Sequence, residues 1–166
     1  MIRRRMLLST VCAPLLALHQ AFAQAPVPAL SGQTLDGKPY DLVQDRGKIV
    51  MLFFWSTDCA VCRDKMPELR ANYEAWREKA FQLLAVNIDK AADDVDAYHR
   101  ALNGVVGASQ RFPWIWRHAK GHRDNFGAIT QTPTTLLLNR EGIQVKQYRG
   151  RIAPELWDDI AELVLA

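Results

Sequence analysis

Cys59 and Cys62 stand three positions apart in the stretch FFWSTDCAVCRDKMP, after an apolar run and before a helix-like pattern. A pair at this spacing could be a structural clip, a metal site or a redox centre. Closing so short a loop removes only ~2 kcal/mol of unfolded-state entropy, against ~3 for a 15-residue loop, so the pair is a poor staple and suits a switch. A c-type haem site needs histidine directly after the second cysteine, and Arg63 stands there. A metal reading draws on HAKGH, where His118 and His122 complete a set of two cysteines and two histidines. The 55 residues between Cys62 and His118 far exceed a zinc-finger spacing, and the expectation is that both histidines are solvated in a basic loop.

Redox chemistry asks more of the position than of the residue type. A thiol attacks another sulfur only as thiolate, and a cysteine at a helix N-terminus faces unpaired backbone N–H groups that stabilise the anion. The junction DCAVCR places Cys59 at that end with an exposed sulfur and Cys62 one turn behind it, shielded. Cys59 is then the attacking nucleophile and Cys62 the resolving thiol. Arg63 and Lys65 favour the thiolate, and Asp58 opposes it.

The elements that must position this pair follow from the hydrophobic pattern. KIVMLFFW, Lys48 to Trp55, is an unbroken apolar run and reads as a strand buried on both faces, with the cysteines just past its carboxyl end. From Cys62 on, Met66, Leu69, Tyr73 and Trp76 recur at helical spacing to about Lys79, and Pro67 is expected to kink the first turns. GQTLDGKPYDLV reads as a hairpin turning at Asp36-Gly37. FQLLAVNID is a second buried strand, and AADDVDAYHRALN a helix with acids in its first turn. TPTTLLLNREGIQVKQYRG splits into two strands at Asn139 to Gly142, and APELWDDIAELVLA closes the chain as a helix, with Leu156, Trp157, Ile160, Leu163 and Val164 as its buried stripe. The order predicts an α/β domain with a partly parallel sheet closed by an antiparallel pair. Pro133 in TQTPTT marks the entry to a strand, and by residue type alone its peptide bond is expected trans.

Export is the expectation at the N-terminus. An arginine cluster, an apolar stretch from Met6 to Leu18 and the triplet Ala21-Phe22-Ala23 make residues 1–23 a signal peptide cleaved before Gln24, with Cys12 discarded in it and residues 24–166 as one domain. The apolar stretch is too short for a permanent span, which needs roughly 20 residues. Of the 21 basic residues in the chain, three lie in this leader with no acid, so the remainder carries 18 basic against 18 acidic residues. Such a balance gives no footprint for nucleic acid. The segment RFPWIWRHAKGHRDNF sets Trp114 and Trp116 among basic residues, which reads either as a short edge strand with a solvated loop or as a partner-docking surface.

Taken together, LDGKPYDLVQDRGKIVMLFFWSTDCAVCRDKMPEL, FQLLAVNIDK and NFGAITQTPTTLLLNREGIQVKQYRG resemble, in this order, the thioredoxin superfamily, and specifically its exported TlpA/ResA-like branch of disulfide reductases. The resemblance implies a thioredoxin-like fold, a central mixed β-sheet flanked by helices with an N-terminal β-hairpin extension. It makes Cys59 and Cys62 the redox pair and Pro133 the cis-proline beside it, against the generic expectation. Thr132 would then pair its backbone with an extended substrate segment, and Trp55 would line the site's base. The implied activity is periplasmic disulfide reduction for cytochrome c maturation or copper-site assembly, by a monomer without cofactor or metal. Its partners would be exported client proteins with disulfides and a membrane electron donor of the disulfide-reductase type. The alternatives are a Sco-like copper metallochaperone, whose cysteines are typically separated by three intervening residues where two intervene here, and a disulfide oxidase or isomerase. The chain departs from the pattern at Ala60-Val61, where a proline usually precedes the second cysteine, at Asp58 in place of a tryptophan, at Lys65 in place of an acid, and at Phe53, where thioredoxin carries a buried aspartate.

Overall fold

The computed structural model describes residues 26–165. The expected signal peptide, Cys12 and the cleavage point lie outside them. The apolar run forms β3 (Ile49–Trp55), in which every residue is buried. It is flanked by β4 (Phe81–Asn87) in parallel and β7 (Thr134–Leu138) antiparallel, which places it at the centre of a five-stranded sheet. β5 (Trp114–Trp116) extends the parallel side and β8 (Gln144–Arg149) closes the antiparallel side. β1 (Leu30–Gln33) and β2 (Pro39–Asp41) form the expected hairpin, which joins β6 (Arg123–Asp124) in a second, three-stranded sheet. Gly37 sits in the hairpin turn at φ +80, a conformation that glycine adopts without a Cβ penalty.

Because side chains alternate along a strand, β3 feeds two cores. Ile49, Met51, Phe53 and Trp55 face one side and meet Cys62, Met66 and Leu69 of α1 (Ala60–Trp76), together with Leu156, Ile160 and Val164 of α3 (Glu155–Leu165). Tyr98 and Leu102 of α2 (Ala92–Asn103) pack against this same core. Val50, Leu52 and Phe54 face the other side, which is covered by Leu30, Tyr40 and Leu42 of the hairpin region, with Phe126 and Ile129 packed beside them. The N-terminal extension thus shields a sheet face that would otherwise expose Phe54 and Leu52. Pro67 lies inside α1 without ending it.

Candidate functional site

The site is assembled where β3 and β4 end. Cys59 is the N-cap of α1, and its Sγ accepts the Cys62 N–H at 3.1 Å. A disulfide joins the two cysteines across a Cα–Cα distance of 5.2 Å. Cys62 is fully buried in the core, whereas Cys59 is half-buried. A strand that stops in the core and a helix that starts at its end leave only one of the two sulfurs within reach of solvent.

The turn carrying Cys59 is held by a residue that sequence reasoning passed over. Asp89, two positions past the end of β4 and 9 % exposed, accepts the Thr57 N–H with both carboxylate oxygens at 3.0 Å. Asn87, fully buried, donates its side-chain amide to Asp89 at 2.8 Å and accepts the Asp89 N–H at 3.0 Å. Trp116 Nε1 caps the Asp89 carbonyl at 2.6 Å. The signal was visible as the polar pair Asn-Ile-Asp ending an otherwise apolar strand. In open α/β sheets such carboxyl ends are where sites form.

The cis-proline loop closes the other side. The Thr132–Pro133 bond is cis, as the resemblance implies and against the generic expectation. Thr132 Oγ1 lies 3.4 Å from Ser56 Oγ, which brings this loop against the turn before Cys59. The loop is pinned by Thr134 Oγ1 donating to the Gln131 carbonyl at 2.7 Å and by the Gly150 N–H donating to the Pro133 carbonyl at 2.8 Å. Neither the N–H nor the carbonyl of Thr132 has a backbone partner among the described residues.

The charges around the pair are tied to partners of their own. Asp58, exposed, accepts from Ser56 Oγ at 2.5 Å, and Arg63 donates to the Thr57 carbonyl. Lys65 pairs with Glu68 at 2.6 Å, and Asp64 with Arg151 at 2.5 Å. Burial would push the Glu68 carboxyl up. Hydrogen bonds from Lys65 and from Trp157 Nε1, the latter at 2.7 Å, outweigh it and hold the carboxyl below its ordinary range.

Several expected placements are corrected by the structure. Trp55 is fully buried, tilted against Tyr98 at 5.3 Å and edge-on to Trp114 at 4.8 Å, so it supports the floor of the site from below and presents no surface to a client. Trp114 is a core residue, and Trp116 is half-buried with its indole N–H bonded to the Asp89 carbonyl, so of the two readings of this segment the short edge strand forms, as β5, and a docking surface built on the two tryptophans does not. His118 is exposed, but His122 is not solvated. Its side chain is 4 % exposed and its Nε2 lies 2.8 Å from Asp124, which also pairs with Arg117 at 2.6 Å. Burial raises the Asp124 carboxyl, yet hydrogen bonds from Arg117, His122 and the Phe126 N–H bring it below its ordinary value. Among the described residues no group of three or more histidines, cysteines and acids could hold a metal, so the two-cysteine, two-histidine set is not assembled.

With this geometry in view, comparison with known proteins is decisive. Residues 23–147 match the AhpC/TSA family. The chain belongs to that family. It is 28 % identical over 132 residues to the thiol-disulfide oxidoreductase ResA of Halalkalibacterium halodurans, covering 80 % of this chain and 71 % of the relative. It is 27 % identical over 129 residues to ResA of Bacillus subtilis, covering 78 % and 68 %. Among solved structures, a thiol:disulfide interchange protein of the thioredoxin family from Chlorobium tepidum superposes with a TM-score of 0.66 at 22 % identity, over 85 % of this chain and 96 % of that one. That likeness carries the thioredoxin-like fold. Kinship and the Cys59–Cys62 pair together make the protein a thiol-disulfide oxidoreductase of the ResA type. None of the helices among the described residues is long and apolar enough to cross a membrane.

Proposed function

We propose that the protein is a periplasmic disulfide reductase that passes two electrons to a disulfide of an exported client protein. The observation that carries this reading is the asymmetry of the pair, a half-buried Cys59 at the N-cap of α1 with Cys62 fully buried behind it. In the reduced protein the Cys59 thiolate attacks one sulfur of the client disulfide. The client S–S bond breaks, its other sulfur leaves as thiolate, and a mixed disulfide with Cys59 forms. Cys62, as thiolate, then attacks the Cys59 sulfur and expels the second client thiolate. The client has gained two electrons, and the Cys59–Cys62 disulfide is the oxidised product. A membrane donor of the disulfide-reductase type would supply the two electrons that reopen it.

Binding follows from the loop opposite. The free N–H and carbonyl of Thr132 can take an extended client segment as an added strand, with Pro133 packed beside the sulfur to be attacked. The resemblance to TlpA/ResA-like reductases supports clients in cytochrome c maturation or copper-site assembly. The test is trapping: Cys62→Ser should strand clients on Cys59 as mixed disulfides that a reductant releases. Cys59→Ser should abolish reduction of a protein disulfide by a dithiol donor, and retained activity in that variant would defeat the assignment.

A further inference from the structure

Beside the cis-proline loop lies a groove of about 320 Å³ that no step above uses. The register of the β7–β8 pair places Arg149 opposite Thr134, Gln147 opposite Leu136 and Gln144 opposite Leu138. Directly opposed residues of an antiparallel pair share a face. The alternate residues of β8, Lys146 and Tyr148, turn to the helical side, where both bond Asp159 of α3. Arg149, Gln147 and Gln144 therefore stand on the face away from the helices, over a floor that includes Leu136, Ile129 and Phe126.

Two features say what the groove would take. It begins at the client-binding loop, since Thr130 and Thr134 line it and Thr134 directly follows Pro133. Its wall runs along β8 from Arg149 to Gln144, residues paired with Thr134 and Leu138 of β7, a span of roughly 14 Å, or about four residues of extended chain. Arg149 is also the one charged residue lining it, is exposed, and takes part in no ion pair among the described residues. A lone guanidinium on an otherwise neutral wall selects a carboxylate, which it can hold by two parallel hydrogen bonds.

We propose that this groove is a client subsite that receives the extended segment flanking the client's disulfide and pairs an acidic side chain of it with Arg149. The proposal rests on the reductase reading and names the kind of client segment preferred. The test uses disulfide-bonded peptides that differ only in carrying Glu, Gln or Lys at positions two to five residues from the reacting cysteine. The readout is the ratio of kcat/KM for Glu over Lys peptides within each protein, which cancels any general loss of activity. At low salt the unchanged protein should favour Glu by roughly fivefold, the upper end for an exposed ion pair. Arg149→Ala should bring the ratio near one and Arg149→Glu should invert it. A preference carried in KM, shrinking as salt rises, supports the subsite. A ratio that is the same in the unchanged protein and in Arg149→Glu overturns the subsite while leaving the reductase reading intact. Failure of the unchanged protein to reduce any of the peptides overturns both. If Arg149→Glu instead converts a dimer to a monomer in sedimentation, the face belongs to a second copy and the client subsite is wrong.

Discussion

Replacing Asp89 tests whether the turn before Cys59 is held from β4. In Asp89→Ala the Thr57 N–H and the Asn87 amide lose the carboxylate that accepts them at 3.0 and 2.8 Å. A buried polar group left without a partner costs about 1–3 kcal/mol, so two such groups predict a loss of about 3 kcal/mol. For a domain of this size each kcal/mol lowers Tm by roughly 3–4 °C, which gives a drop of about 10 °C in a thermal melt. Asp89→Asn keeps one carbonyl oxygen for Thr57 and should lose about half as much. The function should fall further than the fold, because Thr57 lies two residues before Cys59 and a loosened turn misplaces the nucleophile. At a temperature where both proteins are fully folded, the rate of client-disulfide reduction by Asp89→Ala should be at least tenfold lower. A melt within 2 °C of the unchanged protein, or an unchanged rate in the folded variant, would refute the clamp.

Three further substitutions and a change of pH probe the frame around this clamp. Trp114→Ala should cost about 3–5 kcal/mol, as expected of a buried aromatic packed on Trp55 and Tyr98, whereas Trp116→Phe should cost about 1 kcal/mol, the bond to the Asp89 carbonyl; denaturant midpoints for the two variants check the order. Burial holds His99 below its ordinary value, against the raising influence of Asp36, so the unfolded chain takes up this proton first as the medium is acidified. Stability from this group is therefore present above about pH 6.5 and is lost as pH falls below it towards the folded value. Urea midpoints should decline over that window, and His99→Gln should flatten the decline.

The parts of the molecule legible in the sequence are those governed by local pattern. An unbroken apolar run gives a central strand, and an alternation of three and four gives α1, because both record which side chains must leave water. The cysteine pair was legible for the same reason, since its place between those two elements fixes which sulfur is exposed. The cis bond at Pro133 required the resemblance, as nothing in TQTPTT itself separates it from an ordinary strand entry. Trp114 was left between two readings, and His122 and Asp89 were misread or missed, because their surroundings come from distant segments. Trp114 is buried by Trp55 and α2, and His122 by Asp124 and Arg117, with Gly32 so close that an added Cβ would lie 3.1 Å from its Nδ1. A basic stretch looks solvated only until a single acid, Asp124, is placed in its middle.

The charges flanking the cysteines leave less to the side chains than their order along the chain implies. Read linearly, Arg63 and Lys65 compete with Asp58 for control of the thiolate. In the fold each is engaged: Asp58 by Ser56, Arg63 by the Thr57 carbonyl, Lys65 by Glu68 and Asp64 by Arg151. Exposed pairs of this kind are further weakened by solvent screening. What stands directly at the sulfur is backbone, the Cys62 N–H 3.1 Å from Cys59 Sγ, at the start of a seventeen-residue helix with no acid in its first turn. The helix N-terminus therefore supplies the nearest stabilisation of a Cys59 thiolate, and it does so only while Cys59 remains the N-cap. That geometry depends on the turn from Ser56 to Asp58, and the turn depends on Asp89. The residue that most controls the nucleophile is thus thirty positions away from it, and it acts through a backbone N–H instead of through its own proximity to sulfur.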